Sequence, residues 1–419
     1  MSRPSDQAEE AAFGPCHSCH SSRGHLVVDL GLSPPCESFP SPDQLDQPET
    51  FFPLRVFVCV SCFLVQLRAY VDPAAIFSEY AYFSSLSESW LRHAKTFVDG
   101  AIQSFKLTNR SWVVELASND GYLLQYLAQG IPCLGIEPAA NVAEAARAKG
   151  VETLVRFFGE ECARDLVQEG RLANLIVGNN VLAQVPYLND FAAGIKILLA
   201  PGGVASLEFP HVVRLIEGNQ FDTIYHEHYS YFSLWTVEHL FARHGLAVFD
   251  VEELKSPGGS LRVIAQHLGG ARPEADRLRQ VRLLEERVGV TSISYYRSFA
   301  GRVAETKRTL LAFLIDAKNQ GKTIAGYGAP GKGNTLLNYC GIRTDFLDFT
   351  VDRKPYKHGR LLPGTRIPIF PPEHLMEAKP DLVVILPWNL ATEIAEQLAP
   401  IQAWGGRCLV PIPEVSYVL

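Results

Sequence analysis

Two Cys-x-x-Cys pairs, Cys16/Cys19 and Cys59/Cys62, fall in a stretch with little else to hold it together. Residues 13–75 carry many prolines, among them Pro34, Pro35, Pro40, Pro42, Pro48 and Pro53, and little helical periodicity. Such a segment cannot bury much core, so it needs a staple, and a metal supplies one. Zinc takes four thiolate or imidazole ligands in a tetrahedron, and two knuckles provide them. The long gap between the pairs costs little, because loop closure grows only logarithmically with length. Two unrelated pairs, or a redox disulfide, are the competing readings of the same residues. Four thiolates leave no open position for water, so the expected metal is structural. Cys36, His17 and His20 are expected to stand aside from it.

The bulk composition narrows the rest. A chain of 419 residues exceeds what one core usually supports, so two or three domains are expected. With 47% hydrophobic and 20% charged residues it is a globular sequence. The net charge of -7 argues against nucleic acid as a partner, since that affinity rests on a basic surface. No apolar run is long enough to span a bilayer. The polar first twelve residues read as a disordered tail without the apolar core of a secretory signal. Nine cysteines, four of them in tight pairs, fit a reducing cytoplasm better than a disulfide framework.

Helical spacing takes over between about residues 76 and 110, with Phe97, Ile102 and Phe105 in step. Then come short apolar strands separated by helical stretches: Trp112 to Leu116, Leu134 to Glu137, Asn174 to Val177 and Val204 to Leu207. That alternation predicts a parallel sheet with helices on both faces. Val248 to Val251 and Ser260 to Ile264 predict two further strands around a Pro257-Gly258-Gly259 turn. Residues 272–320 read as one or two long helices. A second α/β unit follows, with strands expected at Thr323 to Tyr327, Phe349 to Asp352, Leu382 to Leu386 and Arg407 to Val410. Two nucleotide-type folds in one chain suggest two ligands meeting at a cleft.

Four motifs carry candidate chemistry. Glu115-Leu116-Ala117-Ser118-Asn119-Asp120-Gly121 joins a strand to a helix, and Gly121 permits the tight turn that lets backbone approach a cofactor. Glu137 ends the next strand, where a carboxylate can hold ribose hydroxyls. The glycine pattern is not that of a pyrophosphate cradle, which suits S-adenosylmethionine better than a dinucleotide. Asn179 and Asn180 end a buried strand on the ligand-binding edge, with Gln184 just beyond. Tyr225-His226-Glu227-His228 offers a histidine base beside a carboxylate, flanked by Tyr229, Tyr231 and Phe232. As a strand it would put His226 and His228 on one face, but no third metal ligand is evident. Finally, Gly328, Lys332 and Asn334 lie in a Gly-rich strand–helix junction, and Arg353, Lys357 and His358 add a cationic cluster. Together these favour a diphosphate ligand.

Taken in order, these motifs and the run Ser78-Glu79-Tyr80-Ala81-Tyr82-Phe83-Ser84-Ser85 resemble the sugar C-methyltransferases of deoxysugar and antibiotic biosynthesis. The resemblance covers nearly the whole chain. It implies a zinc-binding domain at 13–75 and a Rossmann-like S-adenosylmethionine-dependent methyltransferase domain at 76–270. A helical connection at 271–320 then leads to a second Rossmann-like α/β domain at 321–419 that binds a nucleotide sugar, usually dTDP-linked. Within that family Glu227 and His228 would be the base dyad, and Tyr225 with Tyr80 or Tyr82 would line the sugar. Glu115, Ala117, Asn119, Gly121, Glu137, Asn179 and Asn180 would hold the cofactor. Gln184 stands where many members carry His, and an amide can donate a hydrogen bond but cannot shuttle a proton. The expected reaction is C-methylation beside a 4-keto group. The alternative is an NADPH-dependent reduction of that keto group, or both reactions in one enzyme. No nucleic acid or membrane is expected as a partner, and the oligomeric state stays open, a monomer being compatible with these expectations.

Overall fold

The computed structural model describes residues 13–419 except 79, 81 and 255–257. The expected tail at 1–12, Glu79 and Ala81 of the Ser78–Ser85 run, and Pro257 of the predicted turn lie outside the described residues. Three sheets organise the chain. The first is antiparallel: Gly24–Ser33 pairs with Phe52–Cys59, which pairs with Val65–Leu67. A fourth strand, Ser230–Tyr231, arrives from far downstream and pairs with Val65 and Gln66. These strands went unforeseen, because two register shifts in the first pair blur the alternation that marks a strand.

The second sheet has seven strands in the order Leu246–Leu254, Ser260–His267, Leu199–Pro210, Ala173–Asn179, Val113–Leu116, Cys133–Ile136, Thr153–Leu154. Only Ser260–His267 runs against the rest. The two strands predicted after residue 246 thus extend the main sheet. Its central strands are buried on both faces, which is why they read as unbroken apolar runs. Alternate residues feed opposite layers: Val113, Leu175 and Val177 pack beneath helix Glu88–Ser104, while Val114, Leu116 and Ile176 pack on the other side. That helix buries Ala94, Phe97, Val98 and Ala101, one stripe at helical spacing, and the Ser87 side chain caps it.

The third sheet runs Ile369–Phe370, Phe349–Val351, Ile324–Tyr327, Leu382–Ile385, Arg407–Val410, Ser416–Tyr417, parallel except for the last pair. Helices Asp276–Val288 and Phe299–Asn319 occupy the predicted helical stretch, with the short Ile293–Arg297 between them. One core joins the first and third sheets, since Val28, Val56 and Leu67 share a cluster with Leu310, Ile324 and Leu336. No helix among the described residues is long and apolar enough to cross a membrane. In both α/β sheets the strand order reverses beside a central strand, Val113–Leu116 in one and Ile324–Tyr327 in the other. Crevices at such switch points are where α/β sheets take ligands.

Candidate active site

Both switch points open into one cavity of about 1370 Å³. Cys36 and Glu37 reach it from the first sheet's side, Asn119 and Asn179 from the second sheet, Lys332 and Asn389 from the third. Tyr80, Tyr82, Gln184, Tyr225, Glu227 and His228 all line it.

The edge of the cavity expected to take the cofactor is built from strained backbone. Ala117, Asn119 and Gly121 all take positive φ (54°, 49° and 74°), and Asn180 does so at 57°. Non-glycine residues pay for that conformation, and such strain gathers at ligand sites. The turn aims the Asn119 N–H at Glu137 Oε2 (2.8 Å), while the Ala139 N–H bonds Oε1 (2.9 Å). Asn119's own side chain anchors the preceding segment, accepting from Ser84 N and donating to the Tyr82 carbonyl. Asn179 Nδ2 donates to the Tyr122 hydroxyl, leaving its buried Oδ1 without a partner. That orphaned acceptor lies at the wall of a cavity also lined by Glu137, and such groups suit the polar edges of S-adenosylmethionine. Glu115 lies behind the wall, fully buried, and burial holds its carboxyl well above the usual range, with the Tyr122 hydroxyl opposing it. Gly121 also lies behind, packed so that a Cβ would meet Val151 at 3.1 Å and Ala146 at 3.2 Å. Gly121→Ala is expected to cost about 1–2 kcal/mol from the left-handed backbone alone. Thermal melting and a calorimetric titration with S-adenosylhomocysteine would check this; unchanged values in both would refute a role for this turn in shaping the cofactor edge.

Residues 224–229 form a turn between the 3₁₀ turn Phe221–Thr223 and strand Ser230–Tyr231, with His228 N bonded to the Tyr225 carbonyl at 2.9 Å. The turn sends the two histidines apart, so the shared face expected of a strand is absent. His226 Nε2 donates to the Pro53 carbonyl and its ring meets Phe52. His228 Nδ1 lies 3.0 Å from the Thr223 carbonyl, which can only accept. The proton therefore sits on Nδ1, and Nε2 keeps its lone pair. Burial pushes His228 down to about 4, so the ring is neutral at working pH. Tyr225 packs on it, ring centroids 4.1 Å apart.

Glu227 was expected to support His228, but the two residues have separate partners. Cys36 Sγ (3.4 Å) and the Tyr80 hydroxyl (3.3 Å) both donate to the Glu227 carboxylate. Burial, then the nearby Glu37 charge, pushes Glu227 up to about 7. Cys36 stands outside the four-cysteine cluster, as expected, and is instead a buried contact of the cavity site.

On the opposite wall Gly328 holds φ 88° against Pro387, and Lys332 Nζ donates to Asn389 Oδ1 (2.8 Å). Lys357 Nζ bonds the Ala329 carbonyl (2.7 Å) and lies 3.9 Å from Glu37. Three residues expected at the substrate do not line the cavity: Asn334, Arg353 and His358. Asn334 is buried within its helix, its carbonyl accepting from Asn338, and His358 Nε2 is spent on the Asp352 carbonyl. Lys354, a member of the same cationic run though not among the residues expected at the substrate, lines the cavity with its Nζ 3.9 Å over the Tyr82 ring. Burial lowers it to about 8. Glu37 lines the cavity too, and it sits in no pattern that would single it out.

At the N-terminus the four sulfurs of Cys16, Cys19, Cys59 and Cys62 all lie within 4.8 Å of one another. Cys16–Cys62 and Cys19–Cys59 are each 3.5 Å apart, close to the edge of about 3.8 Å that Zn–S bonds of 2.3 Å imply. The two loops match: His20 N bonds the Cys16 carbonyl and Phe63 N the Cys59 carbonyl, with φ of 60° and 59°. Paired knuckles of this kind fit a structural zinc, and nothing in the set leaves room for a catalytic water.

Three family models match in succession: "Putative zinc binding domain" over residues 16–77, "Methyltransferase domain" over 90–251 and "C-methyltransferase C-terminal domain" over 255–413. They define an S-adenosylmethionine-dependent methyltransferase carrying a zinc module. The C-methyltransferase NovU of Streptomyces niveus is 36% identical over 400 residues, 95% of each chain. The chain belongs to that C-methyltransferase family. Among solved structures, the PH0226 protein of Pyrococcus horikoshii OT3 is 15% identical over 47% of this chain and 99% of its own, TM-score 0.37. Magnesium protoporphyrin IX methyltransferase of Synechocystis PCC 6803 with bound SAH is 14% identical over 42% and 82%, TM-score 0.34. Likeness this slight says nothing about substrate.

Proposed function

We propose that the protein methylates C3 of a dTDP-linked 4-keto-deoxyhexose, with His228 as the base. The supporting observation is an imidazole whose Nδ1 is pinned to a carbonyl. Its other nitrogen is left to a cavity that also takes in the strained cofactor turn and Lys332. A keto group acidifies the neighbouring C–H, and His228 Nε2 takes that proton. Hydrogen bonds from Gln184 or a tyrosine at the cavity wall hold the enolate oxygen as its charge develops. S-adenosylmethionine, when bound, supplies an electrophilic methyl to the enolate carbon. Lys332 and Lys354, both at the cavity wall, would hold the diphosphate, and the walls would keep the two carbons close.

The direct test is incubation with dTDP-4-keto-2,6-dideoxyhexose and S-adenosylmethionine, in parallel with NADPH. A gain of one methylene with S-adenosylmethionine alone is expected. A gain of two hydrogens with NADPH would overturn the reading.

The pH dependence separates the two members of the loop. A base lowered to about 4 stays deprotonated across the neutral range, so His228 contributes no limb there. An acid limb in kcat/KM near 7 would then report Glu227 losing its proton as pH rises. Glu227→Gln should flatten that limb; its persistence would assign it elsewhere.

A further inference from the structure

Thr223 supplies the carbonyl that holds His228 Nδ1, and both of its chain neighbours are tied to the C-terminal unit. On one side Asp222 is fully buried, and its Oδ2 accepts a 2.6 Å hydrogen bond from Trp388 Nε1. On the other, the Ile224 carbonyl accepts a 2.9 Å bond from Thr335 Oγ1, a buried residue of helix Gly331–Cys340. Trp388 follows strand Leu382–Ile385 at the third sheet's switch point, between the cavity residues Pro387 and Asn389. Lys332 Nζ lies 4.9 Å above its ring. Burial pushes the Asp222 carboxyl up to about 6, with the Lys332 charge and the indole N–H opposing it. A buried acid facing a lysine and an indole across two units is costly to keep unless it holds something in place.

We propose that Asp222, held by Trp388, is a positioning residue that fixes the Thr223 carbonyl and, through it, the tautomer and aim of His228. This rests on the reading of His228 as the base. The C-terminal wall thereby sets the reacting group as well as lining the cavity. A nucleotide lodged against Lys332 and Asn389 would press on the same support that orients the imidazole.

The test uses the intact protein labelled with ¹⁵N-histidine, compared as wild type, Asp222→Ala, Asp222→Asn and Trp388→Phe. The wild type should give the neutral, Nδ1-protonated signature for His228 at neutral pH. In Asp222→Ala and Trp388→Phe that signature should turn into a mixture of tautomers. Turnover on the keto sugar should then fall by about ten- to a hundredfold, the range a small misplacement costs, with KM and S-adenosylmethionine affinity within about twofold. Asp222→Asn keeps an oxygen for the indole and should restore most of the rate. An unchanged signature and rate in both variants would overturn the proposal, as would a loss that tracks melting temperature and cofactor affinity. His228→Ala in the same series separates the two claims. Retained turnover there removes the base and this inference together. A dead His228→Ala beside silent Asp222 and Trp388 variants removes the inference alone.

Discussion

His228→Ala is expected to lower turnover by about a hundred- to ten-thousandfold, the range that a lost general base costs. S-adenosylmethionine should still bind as in the wild type, because His228 does not belong to the turn around Gly121. The informative readout is exchange of the substrate's C3 proton in deuterium oxide with no cofactor added. Proton abstraction precedes methyl transfer, so the wild type should wash in deuterium and the variant should not. Wash-in at wild-type rate by His228→Ala would move the base to another residue of the cavity, with Glu227 the first to examine.

Removing the zinc should have an effect of comparable size by a different route. Structural zinc sites bring on the order of 10–16 kcal/mol of apparent folding energy in small peptides, against a net stability of about 5–15 kcal/mol for a whole domain. Cys59 ends strand Phe52–Cys59, and its knuckle fixes the start of Val65–Leu67. Cys59→Ser, or stripping with a strong chelator, should therefore melt the first sheet and lower the melting temperature markedly. Methyl transfer should fall in step, since Cys36 reaches Glu227 from this part of the chain. A zinc-free protein with an unchanged melt and full activity would refute a structural role.

Much of the molecule is legible in the sequence. The middle strands betray themselves because burial on both faces leaves no polar interruption, and the four cysteines because tetrahedral thiolate sites need paired knuckles. The cavity's His228, Glu227, Tyr225 and Gln184 were found because they stand in or beside ordered motifs. Partnership was harder to read. Whether Glu227 faces His228 or Cys36 depends on a turn whose hydrogen bonds cannot be seen in the letters. Cys36 lies 191 positions from Glu227, a separation no local pattern can encode. Arg353, Lys354 and Lys357 form one cationic run, yet only the two lysines face the cavity, a matter of loop direction alone.

The strand Ser230–Tyr231 immediately follows the turn that carries Glu227 and His228 and is laid against Val65 and Gln66 of the zinc-bearing sheet. A truncated protein starting at residue 90, where the methyltransferase match begins, would leave that strand with nothing to pair. Its backbone donors and acceptors would be bared beside Tyr229 and Phe232, which are buried in the intact chain. Unprotected edges of this kind recruit other chains. The catalytic half should therefore clump when produced alone, and the knuckled segment doubles as its shield against self-association.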